Sequence, residues 1–229
     1  MNKIISDLKG KLIVSCQALD GNPLKGAVFM SAMAKAAVQG GAAAIRANGV
    51  EDVKAIKKKV KVPVIGINKM LASETMPYIT PNFAMAKEIY EAGADIIALD
   101  ATLRKRPDGI SAAELIKQIK NKLGIPVMAD ISTYEEGMAA VEAGADIIAT
   151  TLSGYTAYSP KIKTPDLEVV KKLVSSTDTP VIAEGRYNTP EYVKAAYENG
   201  AYAVVIGKII TNPEFITRYF LEKIKESAI

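Results

Sequence analysis

The feature that most restricts how this chain can fold is an internal repeat. Residues 91–100 read EAGADIIALD, residues 142–151 read EAGADIIATT and residues 198–207 read ENGAYAVVIG; a weaker copy, VQGGAAAIRA, occupies 38–47. In each copy a helical stretch ends at a glycine and an apolar run follows. Glycine suits the left-handed position just past a helix end. The apolar runs do not alternate with polar residues, which is the pattern of parallel strands covered on both faces. A second series interleaves with the first: VPVIGIN (62–68), IPVMAD (125–130) and TPVIAE (179–184), each after a lysine-rich helical stretch. Proline is tolerated at a strand's first residue, where its missing N–H costs least.

With KLIVSCQ (11–17), the two series predict eight strands, starting near Lys11, Ala43, Val62, Asp95, Pro126, Asp146, Pro180 and Ala203. Helices are expected at 26–39, 50–60, 82–92, 111–122, 134–143, 166–175, 190–198 and from Pro213 onward. Eight strands alternating with eight helices is the count of a (β/α)8 TIM barrel, an α/β fold of roughly 250 residues. The expectation is therefore one barrel domain over residues 1–229. The competing architecture, a doubly wound open sheet, carries a glycine-rich phosphate turn after its first strand. Here the first strand runs into Gln17-Ala18-Leu19-Asp20, which favours the barrel.

Composition removes several chemistries. The chain has no histidine, no tryptophan and one cysteine. A Ser-His-Asp triad, a Cys-His pair and the usual histidine-bearing zinc sites cannot be built. Cys16 alone cannot form an internal disulfide, which fits a reducing compartment. Proton transfer falls to Lys, Glu, Asp, Tyr, the thiol or water. Twenty-nine basic against 25 acidic residues give a net charge of +4, too even to imply nucleic acid. Runs such as Lys57-Lys58-Lys59 read as a solvated helix face. No stretch approaches the ~18 apolar residues of a membrane span, and Met1–Gly10 has no apolar signal core. The expectation is a cytoplasmic protein with no nucleic-acid or membrane partner.

In such a barrel the active site lies at the C-terminal ends of the strands. Those ends carry Ser15, Cys16 and Gln17; Arg46 and Asn48; Asn68 and Lys69; Asp100; Asp130; Thr150 and Thr151; Glu184, Gly185 and Arg186; and Gly207 and Lys208. Any one of Arg46, Lys69, Asp130 or Glu184 could be a rim ion pair, and Asp100 a loop cap. Four charged residues converging on one rim point to function, because uncompensated buried charge is costly. Gly185 and Gly207 follow strands seven and eight, the frequent phosphate site of barrel enzymes. Their backbone N–H groups can approach an anion beside Arg186 and Lys208. Two long loops, 68–81 and 151–165, follow strands three and six. Loops at this face often close over substrate, and Tyr155, Thr156 and Tyr158 offer hydroxyls suited to a sugar.

GKLIVSCQA (10–18), VPVIGINK (62–69), DIIALDATLRKRPDG (95–109), MADISTYEEGMAAVEAGADIIATTLSGYT (128–156) and VIAEGRYNTPE (181–191) together resemble the N-acetylmannosamine-6-phosphate 2-epimerase family. The resemblance spans nearly the whole chain, and the TTLSGYT and AEGR-x-NTPE runs carry its specificity. It implies a phosphate-binding TIM barrel that interconverts N-acetylmannosamine 6-phosphate and N-acetylglucosamine 6-phosphate by removing and returning the C2 proton. It implies Lys69 and Glu184 as catalytic residues, and Gln17, Arg46 and Asp130 as substrate ligands. The strand ends and the second loop add Thr151 and Tyr155 as expected substrate ligands, and Gly185, Arg186, Gly207 and Lys208 as the expected phosphate site.

The chain departs from the family pattern at two places. Gly-x-Ala-Ile-Thr-Arg-Pro after strand eight reads here Gly207-Lys208-Ile209-Ile210-Thr211-Asn212-Pro213, so Asn212 stands where the phosphate arginine is expected. The phosphate grip is then expected to lean on Arg186, Lys208 and backbone amides. Met70-Leu71-Ala72 lacks the Arg-Asp pair common after the catalytic lysine, so this loop is expected to differ in shape.

The chemistry also follows from the residues. With the sugar ring open, the proton beside the C1 carbonyl is acidic enough for a lysine whose pKa is lowered by desolvation or a nearby cation. No redox cofactor is required. Asp100, Asp130 and Glu184 form a conceivable cation set, but no metal is expected. Two other readings remain: an aldolase using Lys69 in a Schiff base, and a ligand-sensing RNA-binding regulator, which the few aromatics and scattered lysines disfavour. The oligomeric state is open, with a homodimer as the expectation.

Overall fold

The computed structural model describes residues 2–71 and 75–227. Its elements follow the chain in this order: α1 (Lys3–Ser6), β1 (Lys11–Cys16), α2 (Ala27–Gln39), β2 (Ala44–Asn48), α3 (Val50–Lys59), β3 (Val64–Ile67), α4 (Phe83–Glu91), β4 (Ile96–Asp100), α5 (Ala112–Leu123), β5 (Val127–Asp130), α6 (Tyr134–Glu142), β6 (Ile147–Ala149), α7 (Leu167–Ser176), β7 (Val181–Glu184), α8 (Pro190–Glu198), β8 (Ala203–Ile206), α9 (Lys208–Thr211) and α10 (Pro213–Ser227). The strands are all parallel and close in sequence order, with β8 pairing back onto β1. The (β/α)8 barrel expected from the repeat is the observed fold. Two short helices, α1 and α9, add to the expected elements.

Side chains alternate across each strand with period two, and this alternation builds two cores. Inward residues such as Ile13, Ala44, Ile65, Ile67, Ala98, Met128, Ala149, Ile182 and Val205 fill the barrel interior. Outward residues such as Val14, Ile45, Val64, Ile97, Val127 and Val204 pack against the helices. Ile5 of α1 and Leu8 belong to the interior cluster and are nearly fully buried. On the outward face of β3, a Cβ added at Gly66 would lie 2.4 Å from Ile89 Cγ2 and 2.8 Å from Ala94 Cβ. Only glycine lets α4 approach β3 so closely.

The repeated Gly-Ala-Asp also has a structural reason. Asp95 Oδ2 accepts Val64 N at 2.7 Å and Lys57 Nζ at 2.6 Å, clasping the start of β3. Asp146 repeats this on β5, through Val127 N at 2.9 Å and Lys120 Nζ at 2.7 Å. Helix starts carry their own caps. Ser111 with Glu114 and Thr133 with Glu136 form capping boxes on α5 and α6. Thr189 caps α8 ahead of Pro190. α10 neighbours the short α9 and leaves Phe220, Leu221 and Ile224 more than half exposed. No helix of the described residues is long and apolar enough to cross a membrane.

Candidate active site

Inward positions at the strand ends lie one step beyond the interior core, so the period-two alternation aims their side chains into the barrel mouth. Arg46 follows the inward Ala44 on β2, and Asp130 follows Met128 on β5. Glu184 follows Ile182 on β7, and Lys69 continues Ile65 and Ile67 past β3. The structure brings these four together. Arg46 is 1% exposed and binds Asp130 through both arms, Nη1–Oδ1 at 2.9 Å and Nη2–Oδ2 at 2.5 Å. Nη1 also reaches Glu184 Oε2 at 2.9 Å. One guanidinium thus sits between two carboxylates, a bidentate geometry that arginine alone supplies. Burial opposes its charge, but Asp130 and Glu184 more than offset this and hold its pKa above the usual value. Thr151 Oγ1 completes Asp130, donating to Oδ1 at 2.6 Å.

Lys69 is held by its backbone. Its N–H donates to Asn48 Oδ1 at 2.9 Å, and the residue forms an antiparallel bridge with Ile79. On either side of the bridge, Met70 N donates to Tyr78 O and Thr80 N to Asn68 O, each at 2.9 Å. Desolvation by burial lowers the ammonium pKa to about 8, with a second push from the Arg46 cation and a smaller one from Lys208. Burial drives Glu184 the other way, well above the usual carboxylate range; Arg46 lowers it and Asp130 raises it. Gln17 lies at the mouth beyond β1. Its Nε2 donates to Ser15 Oγ at 2.6 Å, and its buried Oε1 has no protein partner.

On the β7 and β8 side, Gly185 (φ 112°) and Arg186 (φ 62°) take left-handed backbone conformations. No backbone acceptor is found among the described residues for the N–H groups of Gly185, Arg186, Gly207 and Lys208. The Arg186 side chain turns towards the loop after β6. Its Nε donates to Thr164 O at 2.8 Å, its Nη1 donates to Ser153 O at 2.9 Å, and its guanidinium lies 5.2 Å from the Tyr155 ring. Lys208 Nζ stands 5.9 Å from the Phe215 ring. Asn212 Oδ1 accepts Phe215 N at 3.0 Å and caps α10.

The loop 151–165 is laced to the scaffold. Ser153 Oγ donates to Asp166 at 2.6 Å, Thr156 Oγ1 to Ser132 at 3.1 Å and Tyr158 OH to Glu136 at 2.5 Å. Thr150 is structural: its hydroxyl donates to Glu184 O and accepts Glu184 N. In the loop 68–81, residues 72–74 lie outside the described set, so the expected change of shape at Met70-Leu71-Ala72 falls partly beyond it. Asp100 is buried and committed to Arg104, Nη2–Oδ2 at 2.6 Å, and to Thr102. Among the described residues no group of three or more Cys, Asp or Glu side chains is placed to hold a metal ion. Sequence reasoning overlooked Tyr78, which packs on the interior cluster beside the lysine strap; its one signal was a hydroxyl-bearing aromatic in the loop following the lysine.

A lysine lowered towards neutrality and a carboxyl raised towards it can exchange a proton without histidine. With unpaired backbone N–H groups after β7 and β8, the fold and site define an acid–base barrel enzyme of the phosphate-binding kind. The profile of the family described as "Putative N-acetylmannosamine-6-phosphate epimerase" matches residues 30–226. A relative from Caldanaerobacter subterraneus subsp. tengcongensis, named "Putative N-acetylmannosamine-6-phosphate 2-epimerase", is 54% identical over 224 residues, covering 97% of this chain and 94% of its own. One of the same name from Cutibacterium acnes is 46% identical, covering 98% of each. The solved N-acetylmannosamine-6-phosphate 2-epimerase from Clostridium perfringens superposes with a TM-score of 0.92 at 47% identity, over 96% of both chains. The chain belongs to the N-acetylmannosamine-6-phosphate 2-epimerase family.

Proposed function

We propose that the chain interconverts N-acetylmannosamine 6-phosphate and N-acetylglucosamine 6-phosphate by moving the C2 proton. The observation that carries this reading is the gathering of Lys69 and Glu184, with opposed pKa displacements, at one barrel mouth, where Glu184 is bonded to the Arg46–Asp130 pair and Lys69 feels the charges of all three. The strands that supply them, β3 and β7, stand across the closed barrel from one another, so a sugar in the mouth has one group on each side.

In this reading the ring opens to the C1 aldehyde, with Glu184 passing a proton between the ring oxygen and O1. The neutral Lys69 amine takes the C2 proton; the C–H pair moves into the C1–C2 bond and the carbonyl pair onto O1. Arg46 lowers the energy of that oxyanion through its fixed charge in a poorly hydrated site. Protonation of C2 on the opposite face by the Glu184 carboxylic acid restores the aldehyde with inverted configuration. Gln17, Asp130, Thr151 and Tyr155 bind the sugar; Gly185, Gly207, Lys208 and the backbone N–H of Arg186 take the phosphate, with Lys208 serving in place of the arginine that Asn212 replaces. A cytoplasmic location fits a chain whose single cysteine is free.

The test is incubation of the purified chain with N-acetylmannosamine 6-phosphate and no added cofactor. Formation of the gluco epimer supports the reading, and no conversion in either direction overturns it. A lysine of lowered pKa also suits a Schiff base. Borohydride trapping with substrate separates the two readings, since a covalent adduct on Lys69 favours the aldolase. We also infer a homodimer, because Phe220, Leu221 and Ile224 on α10 and Val28 and Phe29 on α2 present exposed apolar surface. Light scattering should give about twice 24.4 kDa; a monomer at micromolar concentration contradicts it.

A further inference from the structure

We propose that Tyr78 contacts the substrate and recognises its acetamido end; the proposal rests on the 2-epimerase reading above. Tyr78 packs on the barrel-interior cluster, and its chain segment is the strap that bridges Lys69. Its carbonyl accepts Met70 N at 2.9 Å, and its neighbour Ile79 forms the bridge to Lys69. The ring thus lies on the interior cluster, carried by the segment that straps Lys69.

The ring is also clamped. Tyr78 N donates to Asp100 Oδ2 at 3.2 Å. The Arg104 guanidinium lies 5.5 Å from the ring centroid. Arg104 is in turn held by Asp100 Oδ2 at 2.6 Å and by Thr102 Oγ1, which accepts its Nε at 3.0 Å. Asp100 and Arg104 are both buried. A buried ion pair stacked on one tyrosine preorganises that ring, as a binding residue requires.

The phenolic oxygen has no hydrogen-bond partner among the described residues, unlike the hydroxyl of Tyr158, which is bonded to Glu136. A tyrosine hydroxyl in a partly buried setting normally finds one, so a ligand group is the natural occupant. The charges that act on Tyr78 are those of Asp100, Arg104 and Asp130, with Tyr155 nearby; Tyr78 in turn acts on Arg46. The bond to Asp100 at the end of β4 and the Arg104 stack place Tyr78 on the β4 side of the mouth, on the segment that straps Lys69. Burial raises its pKa to about 12, which keeps the phenol a neutral donor. The amide carbonyl at C2 is a matching neutral acceptor.

Tyr78→Phe keeps the ring and its stack and removes only the hydroxyl. The two measurements are kcat/KM for N-acetylmannosamine 6-phosphate and the competitive inhibition constant of mannosamine 6-phosphate, which lacks the carbonyl. We expect about a tenfold loss for the acetylated sugar and an unchanged inhibition constant for the amine. No loss, or an equal loss for both sugars, overturns the assignment. If wild-type protein converts nothing, it is the 2-epimerase reading that fails; if wild type converts and the variant matches it, only the role of Tyr78 falls. Arg104 is a positioning residue here. Arg104→Gln should reduce the same discrimination and add nothing further in the Tyr78→Phe background, whereas additive losses in the double variant contradict that role.

Discussion

Replacing Arg46 by alanine tests how the charge at the barrel mouth is balanced. The substitution removes a side chain that is 1% exposed and three charge-assisted hydrogen bonds, two to Asp130 and one to Glu184. It leaves two buried carboxylates without their cation. Breaking a buried pair from one side costs about 3–5 kcal/mol. For a chain of this size 1 kcal/mol corresponds to roughly 2–4 °C in Tm, so the expected fall is about 6–20 °C near pH 8. The loss should also depend on pH. Burial already lifts Glu184 above the carboxylate range, Arg46 is the chief influence lowering it, and Asp130 lifts it further. Without Arg46 its folded-state pKa climbs well above the unfolded value. The folded variant then binds more protons than the unfolded chain, and its stability falls as pH rises through the folded pKa. Scanning calorimetry of wild type and variant at about pH 5.5 and pH 8 should show a deficit that is large at the higher pH and smaller at the lower. A deficit under about 1 kcal/mol at pH 8, or one equal at both pH values, would refute the charge balance described for Arg46.

Two further outcomes follow. Lys69 must be neutral and Glu184 protonated in the free enzyme, so kcat/KM should give a bell in pH. Its limbs should lie close together, at about 7 and about 8, and they belong to the coupled pair rather than to one residue; a profile flat across that range contradicts the assignment. Gly66→Ala places a Cβ within 2.4 Å of Ile89 Cγ2 and 2.8 Å of Ala94 Cβ. Overpacking of this kind costs about 1–3 kcal/mol, seen as a lower denaturant midpoint, and an unchanged midpoint contradicts the close approach of α4 to β3.

Sixteen of the eighteen elements were legible because each strand–helix unit carries its own punctuation. The glycine before each Ala-Asp or Ala-Tyr ends a helix, and the proline before Val64, Val127 and Val181 stands just outside the strand. The Asp of the repeat proved to be a clasp on the preceding strand, a contact between units that spacing alone does not reveal. α1 and α9 are four residues each, too short for a helical period to show. At the site, Arg46, Lys69, Asp130 and Glu184 were legible because a strand's period of two decides which strand-end residues face inward. Arg186 lies two residues past β7, as Lys69 lies two past β3, but the left-handed backbone at Gly185 and Arg186 breaks the alternation there. Its side-chain direction follows from a left-handed backbone and from the Ser153 and Thr164 carbonyls that accept it, all contacts made across a loop. Tyr78 was missed for the same reason, since the segment that carries it is tied to Lys69 by a bridge formed across a loop. Asn212 could be read as a departure from the family pattern and the helix start at Pro213 was legible, but the bond by which Asn212 caps that helix at Phe215 is a side-chain contact that the family pattern does not carry.

The central claim is that Lys69 removes the C2 proton. Proton NMR of N-acetylmannosamine 6-phosphate in deuterated buffer, with wild type and with Lys69→Ala, tests it most directly. We expect wild type to form the gluco epimer with loss of the C2 proton signal, and Lys69→Ala to leave both the signal and the sugar unchanged. Exchange of the C2 proton at the wild-type rate by Lys69→Ala would contradict the assignment.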